Sequence, residues 1–405
     1  MILNDETHVS QPSNPYQKLH NNPQIRYSYR MKKPLTYLIV LCFLFLFSGS
    51  VFGDDLIDGL NAYTRQDYKE AVKLLRLSAE RGNTLAQYNL GVMYTQGLGV
   101  PQDDNKAVKW YRLAAEQGHA EAQLIVGVMY SNGQGVPQDF KESVKWYSLS
   151  AEQKNAKAQF NLGTMYDQGK GVPHNGMRAF KWYSLSADRG YAKAQFNLGE
   201  MYREGDITTQ DFKRAVKWYR LAGEQGLAEA QCNLGLMYEN GQGVQQDYEE
   251  AIKWYRLSAE QGYALAESNL GLMYENGQGV QQDYEEAIKW YRLGAKQGLA
   301  GAQSNLGLMY ESGKGIMQDH KEAVRLYRQS AEQGNVLAQK YLGVMYVLGQ
   351  GVPQDYVLAH MWFSLSGSNG YKDGVKNKNL VEKEMTPSQI EKAQRLARNW
   401  KPTSR

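Results

Sequence analysis

Along most of the chain, apolar residues recur at helical spacing and are interrupted at fixed intervals. In AEAQLIVGVMYSN (residues 120–132), Ala122, Val126 and Met129 stand at i, i+4 and i+7, one face of an α-helix. The loop GQGVPQD follows: Gly133 and Gly135 permit positive φ past a helix C-terminus, and Pro137 cannot continue a helix. Asp139 then opens a second helix, FKESVKWYSLSAEQ, as its N-cap, with Glu142 three residues on to complete a capping box. This helix is expected to bury Val144, Tyr147 and Ala151. The same box is predicted at Asp67/Glu70, Asp247/Glu250, Asp283/Glu286 and Asp319/Glu322.

The whole pattern repeats. Aligned on Leu-Gly-x-Met-Tyr, glycines fall at 91, 127, 163, 199, 235, 271, 307 and 343, each 36 residues apart. Eight full units begin at Thr84, Ala120, Ala156, Ala192, Ala228, Ala264, Ala300 and Val336, after an incomplete one at 54–83. The 25-residue run NLGLMYENGQGVQQDYEEAIKWYRL even occurs twice, at Asn233–Leu257 and Asn269–Leu293. Identical text calls for identical surroundings, which a single core does not offer. A stack does, because one helix pair cannot bury both of its apolar faces and every interior unit has the same neighbours. The expectation is an all-α fold of tandem helix-turn-helix units.

Comparing units separates two kinds of position. The third, fourth, seventh, eighth and eleventh residues are nearly invariant as Ala, Gln, Leu, Gly and Tyr, which marks packing. The glycine gives up about 1 kcal/mol of helix propensity, a loss explained if the backbone approaches a neighbour closely. The Trp-Tyr pairs, from 110/111 to 290/291, read as an aromatic seam between units.

The second, fifth, ninth and twelfth residues vary, and their spacing sets them on one stripe of the first helix. The fifth place runs Tyr88, Leu124, Phe160, Phe196, Cys232, Ser268, Ser304, Lys340; the twelfth includes Arg203, then Glu239, Glu275 and Glu311. The stripe is thus aromatic toward the N-terminus and acidic toward the C-terminus. The sixth residue is Asn89, Asn161, Asn197, Asn233, Asn269 or Asn305 in six units. Such a ladder either hydrogen-bonds an extended peptide or ties each first helix to its neighbour. Candidate partner-binding residues are therefore Tyr88, Asn89, Phe160, Asn161, Phe196, Asn197, Arg203, Asn233, Asn269 and Asn305. Two departures stand out: the loop EGDITTQD, with Ile207 where glycine is usual, and Leu326 in a tryptophan place, expected to loosen packing.

These residues resemble the SEL-like repeat, of the tetratricopeptide type, through A-x-A-Q-x-N-L-G-x-M-Y-x-x-G-x-G-V-P-Q-D and A-x-x-W-Y-x-x-A-A-E-Q-G over residues 54–371. The tail, 372–405, is similar to the C-terminal end of many bacterial members, where a helix beginning Met-Thr-Pro closes the stack. Thr386 is then its N-cap, Gln389 the box partner, and Pro387–Trp400 the capping helix. The resemblance implies a right-handed α/α superhelical solenoid whose first helices line a concave groove. It implies protein or peptide partners and no fixed chemistry. Some secreted relatives of this class have been discussed as β-lactamase-like and are rich in cysteine pairs, which this chain lacks, together with any S-x-x-K outside the repeats.

Residues 1–53 stand apart. An extension, 1–30, is Asn-, Gln- and Pro-rich, and then Met31-Lys32-Lys33 opens an uncharged run, Leu35–Phe47, followed by small residues. That is the pattern of a secretory signal at 31–53, with translation expected to start at Met31. Extended to Phe52 the run reaches 18 residues, so an uncleaved inner-membrane anchor facing the periplasm is the alternative. Removing 1–53 lowers the net charge from +4 to +1, which gives no electrostatic footprint for nucleic acid or anionic lipid. Cleavage also leaves one cysteine, Cys232, unable to form an internal disulfide.

His119, His174, His320 and His360 occupy four different places in the unit, none at metal-ligand spacing. No Ser-His-acid arrangement or phosphate loop rises above the repeat background, so neither a metal nor a cofactor is expected. The reading is a monomeric, non-enzymatic scaffold, periplasmic or secreted, that binds proteins in its groove. The alternatives are a cell-wall or carbohydrate-associated envelope protein or hydrolase, whose signature would be exposed tryptophans, and a secreted effector acting on host proteins.

Overall fold

The computed structural model describes residues 54–403; the segments expected at 1–30 and 31–53 lie outside the described residues. Among the described residues there are twenty α-helices and no strand, and successive helix pairs stack into a solenoid. The expected helix at 120–132 is Ala120–Asn132, closed by Gly133 in the left-handed conformation (φ 69°). Its partner is Phe140–Glu152. The incomplete first unit also forms a pair, Asp54–Thr64 and Tyr68–Glu80, joined by a short turn in which Gln66 takes φ 65°. The tail adds Lys372–Val381, a 3-10 turn at Glu382–Glu384, and Pro387–Asn399.

The capping boxes are half formed. Asp67, Asp139, Asp247, Asp283 and Asp319 each accept the expected backbone N–H of the glutamate three residues on. The glutamates do not return the bond. They turn outward to the cation a further three residues on, as in Lys253–Glu250 at 2.6 Å and Arg325–Glu322 at 2.5 Å. Among the described residues both halves form only at Thr386/Gln389, where the third residue is a neutral amide with no charge to pair with Lys392.

The invariant glycine of each first helix seats a ring. A Cβ on Gly91 would lie 2.5 Å from the Tyr111 ring, one on Gly235 2.7 Å from Tyr255, and one on Gly307 2.7 Å from Tyr327. The close approach is therefore ring on backbone within one unit, and these tyrosines have almost no exposed surface. The tryptophan beside each faces the preceding unit: Trp146 joins a core cluster with Ala107, Tyr111, Val126 and Met129. Leu326, in the tryptophan place, is 2% exposed and joins a core cluster with Ile288, Tyr291, Leu306 and Met309.

Two devices couple one unit to the next. The first is the second loop glycine, whose Cα sits on the start of the preceding unit's second helix. A Cβ on Gly135 would fall 2.2 Å from the Asp104 carbonyl oxygen, and Gly171 and Gly351 repeat the contact on Phe140 and His320. In EGDITTQD that glycine is Ile207, and the facing residue has changed in compensation: Gly176 stands where its counterparts are Phe140, Phe212 or Tyr248, and the Ile207 side chain fills the space a Cβ there would need.

The second device is a rail of buried amides. Gln87, Gln123, Gln195, Gln231 and Gln303 donate to the carbonyl at the end of the preceding second helix, as Gln123 does to Ala115 at 3.0 Å. Each also accepts from the glutamine that ends its own unit, Gln117, Gln153, Gln225, Gln261 or Gln333, at 2.7–2.8 Å. Glu267 interrupts the series: it accepts from Gln297 at 2.8 Å, yet a carboxylate cannot donate to the Ala259 carbonyl as its counterparts do. Burial raises its pKa. A raised value means that its contribution to stability is full below the unfolded pKa, about 4.3, and is lost as pH rises through the folded one. Glu267→Gln is therefore expected to stabilise by about 1 kcal/mol at pH 7 and by much less near pH 4. Urea midpoints at the two pH values check it; an equal gain at both would remove the protonation argument.

Candidate protein-binding face

The variable stripe of the first helices is underlaid by the tyrosines of the second. Their rings cross the glycine seats and bring the hydroxyls up beside the twelfth position. Tyr255 donates to Glu239 at 2.5 Å, Tyr291 to Glu275 at 2.6 Å, and Tyr327 to Glu311 at 2.5 Å. Three half-buried carboxylates thus stand in consecutive units, each fixed from below by a hydroxyl. Burial raises the Glu239 pKa against the opposing Tyr255 bond. Burial first, and the adjacent carboxylate second, push the Tyr291 and Tyr327 hydroxyls well above their ordinary value, so they remain neutral donors.

The expected site residues fall into two groups. Tyr88 is half-buried, its ring stacked on His119 at 4.7 Å, and burial followed by Glu121 raises its hydroxyl to about 12. Phe160 is 7% exposed and lies between Tyr183 (5.6 Å) and Tyr191 (5.2 Å); Phe196 is half-buried beside Tyr219 at 6.0 Å. Two of the asparagines bond inside the protein. Asn89 donates to the Leu85 carbonyl at 2.8 Å and Asn233 to Glu200 at 2.7 Å. Asn197 and Asn305 stand beside the hydroxyls of Tyr183 and Tyr291, whose raised pKa they oppose, and Asn269 stands 4.0 Å from the Cys232 sulfur. Asn161 is half-buried on the same row.

Arg203 is the exception in the twelfth place. Its guanidinium, with the side chain 14% exposed, pairs with Glu200 at 2.8 Å and Glu204 at 3.0 Å and also reaches the Tyr219 hydroxyl. Burial works most strongly against its charge, but the Glu200 hydrogen bond and charge, together with Tyr219, outweigh it and the pKa rises. Tyr219 donates to Glu200, so the carboxylate has moved from the twelfth to the ninth place and arginine fills the gap. This cluster separates the aromatic stretch from the row of glutamates. Beside that row, Leu272 is 37% exposed in the ninth place, with Leu236 and Leu308 half-buried at the same place in the flanking units. Lys340 ends it: burial lowers the pKa of its ammonium, opposed by Asp373 and Glu311, and the group rests over the Tyr341 ring at 4.6 Å.

The structure also brings together three residues that sequence spacing did not. Ser364 lies 3.3 Å from His360 Nδ1, and His360 Nε2 is 2.8 Å from Glu382. The serine hydroxyl donates to the His360 carbonyl at 2.7 Å and the ring has no exposed surface, so the trio joins the tail to the last unit as a core contact. Among the described residues no three His, Cys, Asp or Glu side chains cluster to hold a metal. Three of the eight tryptophans are buried and five half-buried, and none is in the exposed class that a carbohydrate-stacking face was expected to show.

A solenoid of helix pairs with a variable stripe over invariant packing defines a helical-repeat protein. The Sel1 repeat pattern matches nine consecutive segments, 57–83, 84–119 and onward at the same spacing to 336–371, and the chain belongs to this family. Its first unit is thereby a repeat in its own right. The chain is similar to the crystal structure of c5321, a protective antigen of uropathogenic Escherichia coli with an SLR fold, at 31% identity over 86% of this chain and 91% of that one (TM-score 0.59). It is likewise similar to a Sel1 repeat protein from Oxalobacter formigenes, at 34% identity over 82% and 94% (TM-score 0.57). No curated protein matches the chain. Sel1 repeats are protein-interaction modules, which makes protein the class of partner for such a solenoid.

Proposed function

We propose that the protein is an exported, non-enzymatic adaptor that holds an extended peptide segment of a partner protein on the stripe of its first helices. The observation that carries this reading is the contrast between packing positions that barely change and the graded stripe above them. Half-buried aromatic residues at Tyr88 and Phe196, with Phe160 buried between them as packing, give way across the Arg203 cluster to Glu239, Glu275 and Glu311. The complementary peptide is apolar at one end and basic at the other. Its cations meet carboxylates that hydroxyls already hold in place, so little ordering remains to be done on binding. The exported location rests on the signal pattern beginning at Met31, and N-terminal sequencing of the fractionated native protein tests it.

The face is tested by placing a photo-crosslinking amino acid at Leu272, on the first-helix stripe, or at Leu149, equally exposed on a second helix. Cross-linking in cells is expected to give a protein adduct from position 272 and none from 149. The 272 adduct should fall at least several-fold in a triple glutamine variant of Glu239, Glu275 and Glu311, and with rising salt, since partly exposed ion pairs are screened. Adducts from 149 alone, or a 272 adduct indifferent to the three glutamates, would rule this face out.

A further inference from the structure

We infer that the solenoid contains a joint between the repeats 120–155 and 156–191, at which the first three repeats open as a unit before the rest unfolds. Two independent features coincide there. Lys154 closes its helix in the left-handed conformation at φ 68°, where the other full repeats place glycine; an L-side chain is strained in that conformation. Arg189 replaces the glutamine that ends the other interior units, and its guanidinium bonds instead to the Leu185 carbonyl of its own helix at 2.9 Å. The amide rail is therefore cut inside the repeat 156–191, where the end of the second helix sends no amide bond back to the first, and Gln159 Oε1, on the residue that joins this repeat to 120–155, is buried without a hydrogen-bond partner. Nor does Arg189 make the bond across the boundary that Gln153 makes to the Gly118 carbonyl at 2.9 Å. Gln159 still donates to Ala151 at 3.1 Å and Asn155 to Glu121 at 3.0 Å, so the joint is closed in the native state.

A second cut lies at the last repeat, where Asn369 is too short for the glutamine role and Gln339 Oε1 has no partner. There the tail bridges the gap. Thr403 donates through its N–H (2.8 Å) and hydroxyl (3.1 Å) to the Glu332 carbonyl of one repeat, while Trp400 packs on Trp362 of the next at 6.2 Å. The first cut has no such strap, and between the two the rail is continuous from 192 to 335, apart from the donor missing at Glu267. In a stack whose stability is a sum of unit and interface contributions, the weakest interface decides where cooperative unfolding divides. This inference does not depend on which face binds a partner.

Native-state hydrogen exchange of the full chain in mild urea, read by mass spectrometry, tests it. The expected result is a step: amides in the helices of 54–152 share one exchange rate, roughly tenfold or more above those of 192–335. In the double variant Lys154→Gly and Arg189→Gln the step should shrink by about the same factor, since strain and orphan acceptor are both removed. Ordinary fraying from the end would give a gradient instead. A gradient with no step near residue 153, or a step that the double variant leaves intact, overturns the proposal.

Discussion

Gly135→Ala is expected to destabilise the protein by about 3–4 kcal/mol, a loss that the same substitution should match at Gly99 and Gly351, which make the same contact. Two costs add. The residue has φ 68°, and the left-handed conformation costs an L-residue about 1–2 kcal/mol. The new Cβ would also lie 2.2 Å from the Asp104 carbonyl oxygen, a backbone atom that cannot swing aside as a side chain would. Relief requires the two repeats to separate locally, which exposes the interface between them. Gly133→Ala is the control: its φ is 69°, but the nearest atoms to its Cβ are 3.4 Å away. It should lose only the conformational part, about 1 kcal/mol. Thermal melts of the two variants decide the matter, and equal losses would show that the contact between repeats is not tight.

Glu200→Leu ranks next, with an expected loss of about 3 kcal/mol. The carboxylate neutralises Arg203, accepts from Tyr219 and receives the Asn233 amide, so its removal leaves a buried cation with a partly exposed Glu204 and strips two neutral groups of their partner. A second substitution should reverse most of this. The next repeat carries Leu236 and Glu239 at the equivalent places, with Tyr255 donating to the glutamate. Glu200→Leu combined with Arg203→Glu writes that arrangement into this repeat. The double variant is expected to recover at least half of the single loss in urea unfolding. Losses that merely add would mean the cluster is held by surroundings other than these two residues.

The helices were legible because each boundary has a local cause. Glycine at 133, proline at 137 and aspartate at 139 act within a few residues, and the observed Ala120–Asn132 and Phe140–Glu152 follow them closely. What was not legible spans the hairpin or the step between repeats. The tyrosine beneath each stripe lies sixteen residues from its glutamate, and the glutamine rail joins residues eight and thirty apart. Ile207 and Gly176 make sense only as a pair, across a boundary no periodicity marks. For the same reason the stripe could be drawn from helical spacing, while the burial of Asn89 and Phe160 depends on rings supplied by other helices and other repeats. The recurrence of glutamate in the twelfth place of three consecutive repeats was the one written sign of the tyrosine contact.

The amide rail has an arrow. In every intact link the N–H points toward the N-terminal end of the stack, from Gln153 to Gln123 and from Gln123 to Ala115. Aligned amide dipoles polarise one another, so a run of links is firmer than the same bonds taken singly. Copying a whole repeat lengthens such a run without reversing any link, whereas a fragment lacking either glutamine would leave an amide group without its partner, as at Gln159. Growth by complete modules, the pattern of the duplicated text at 233–257 and 269–293, thus adds links to this wiring without disturbing those already made.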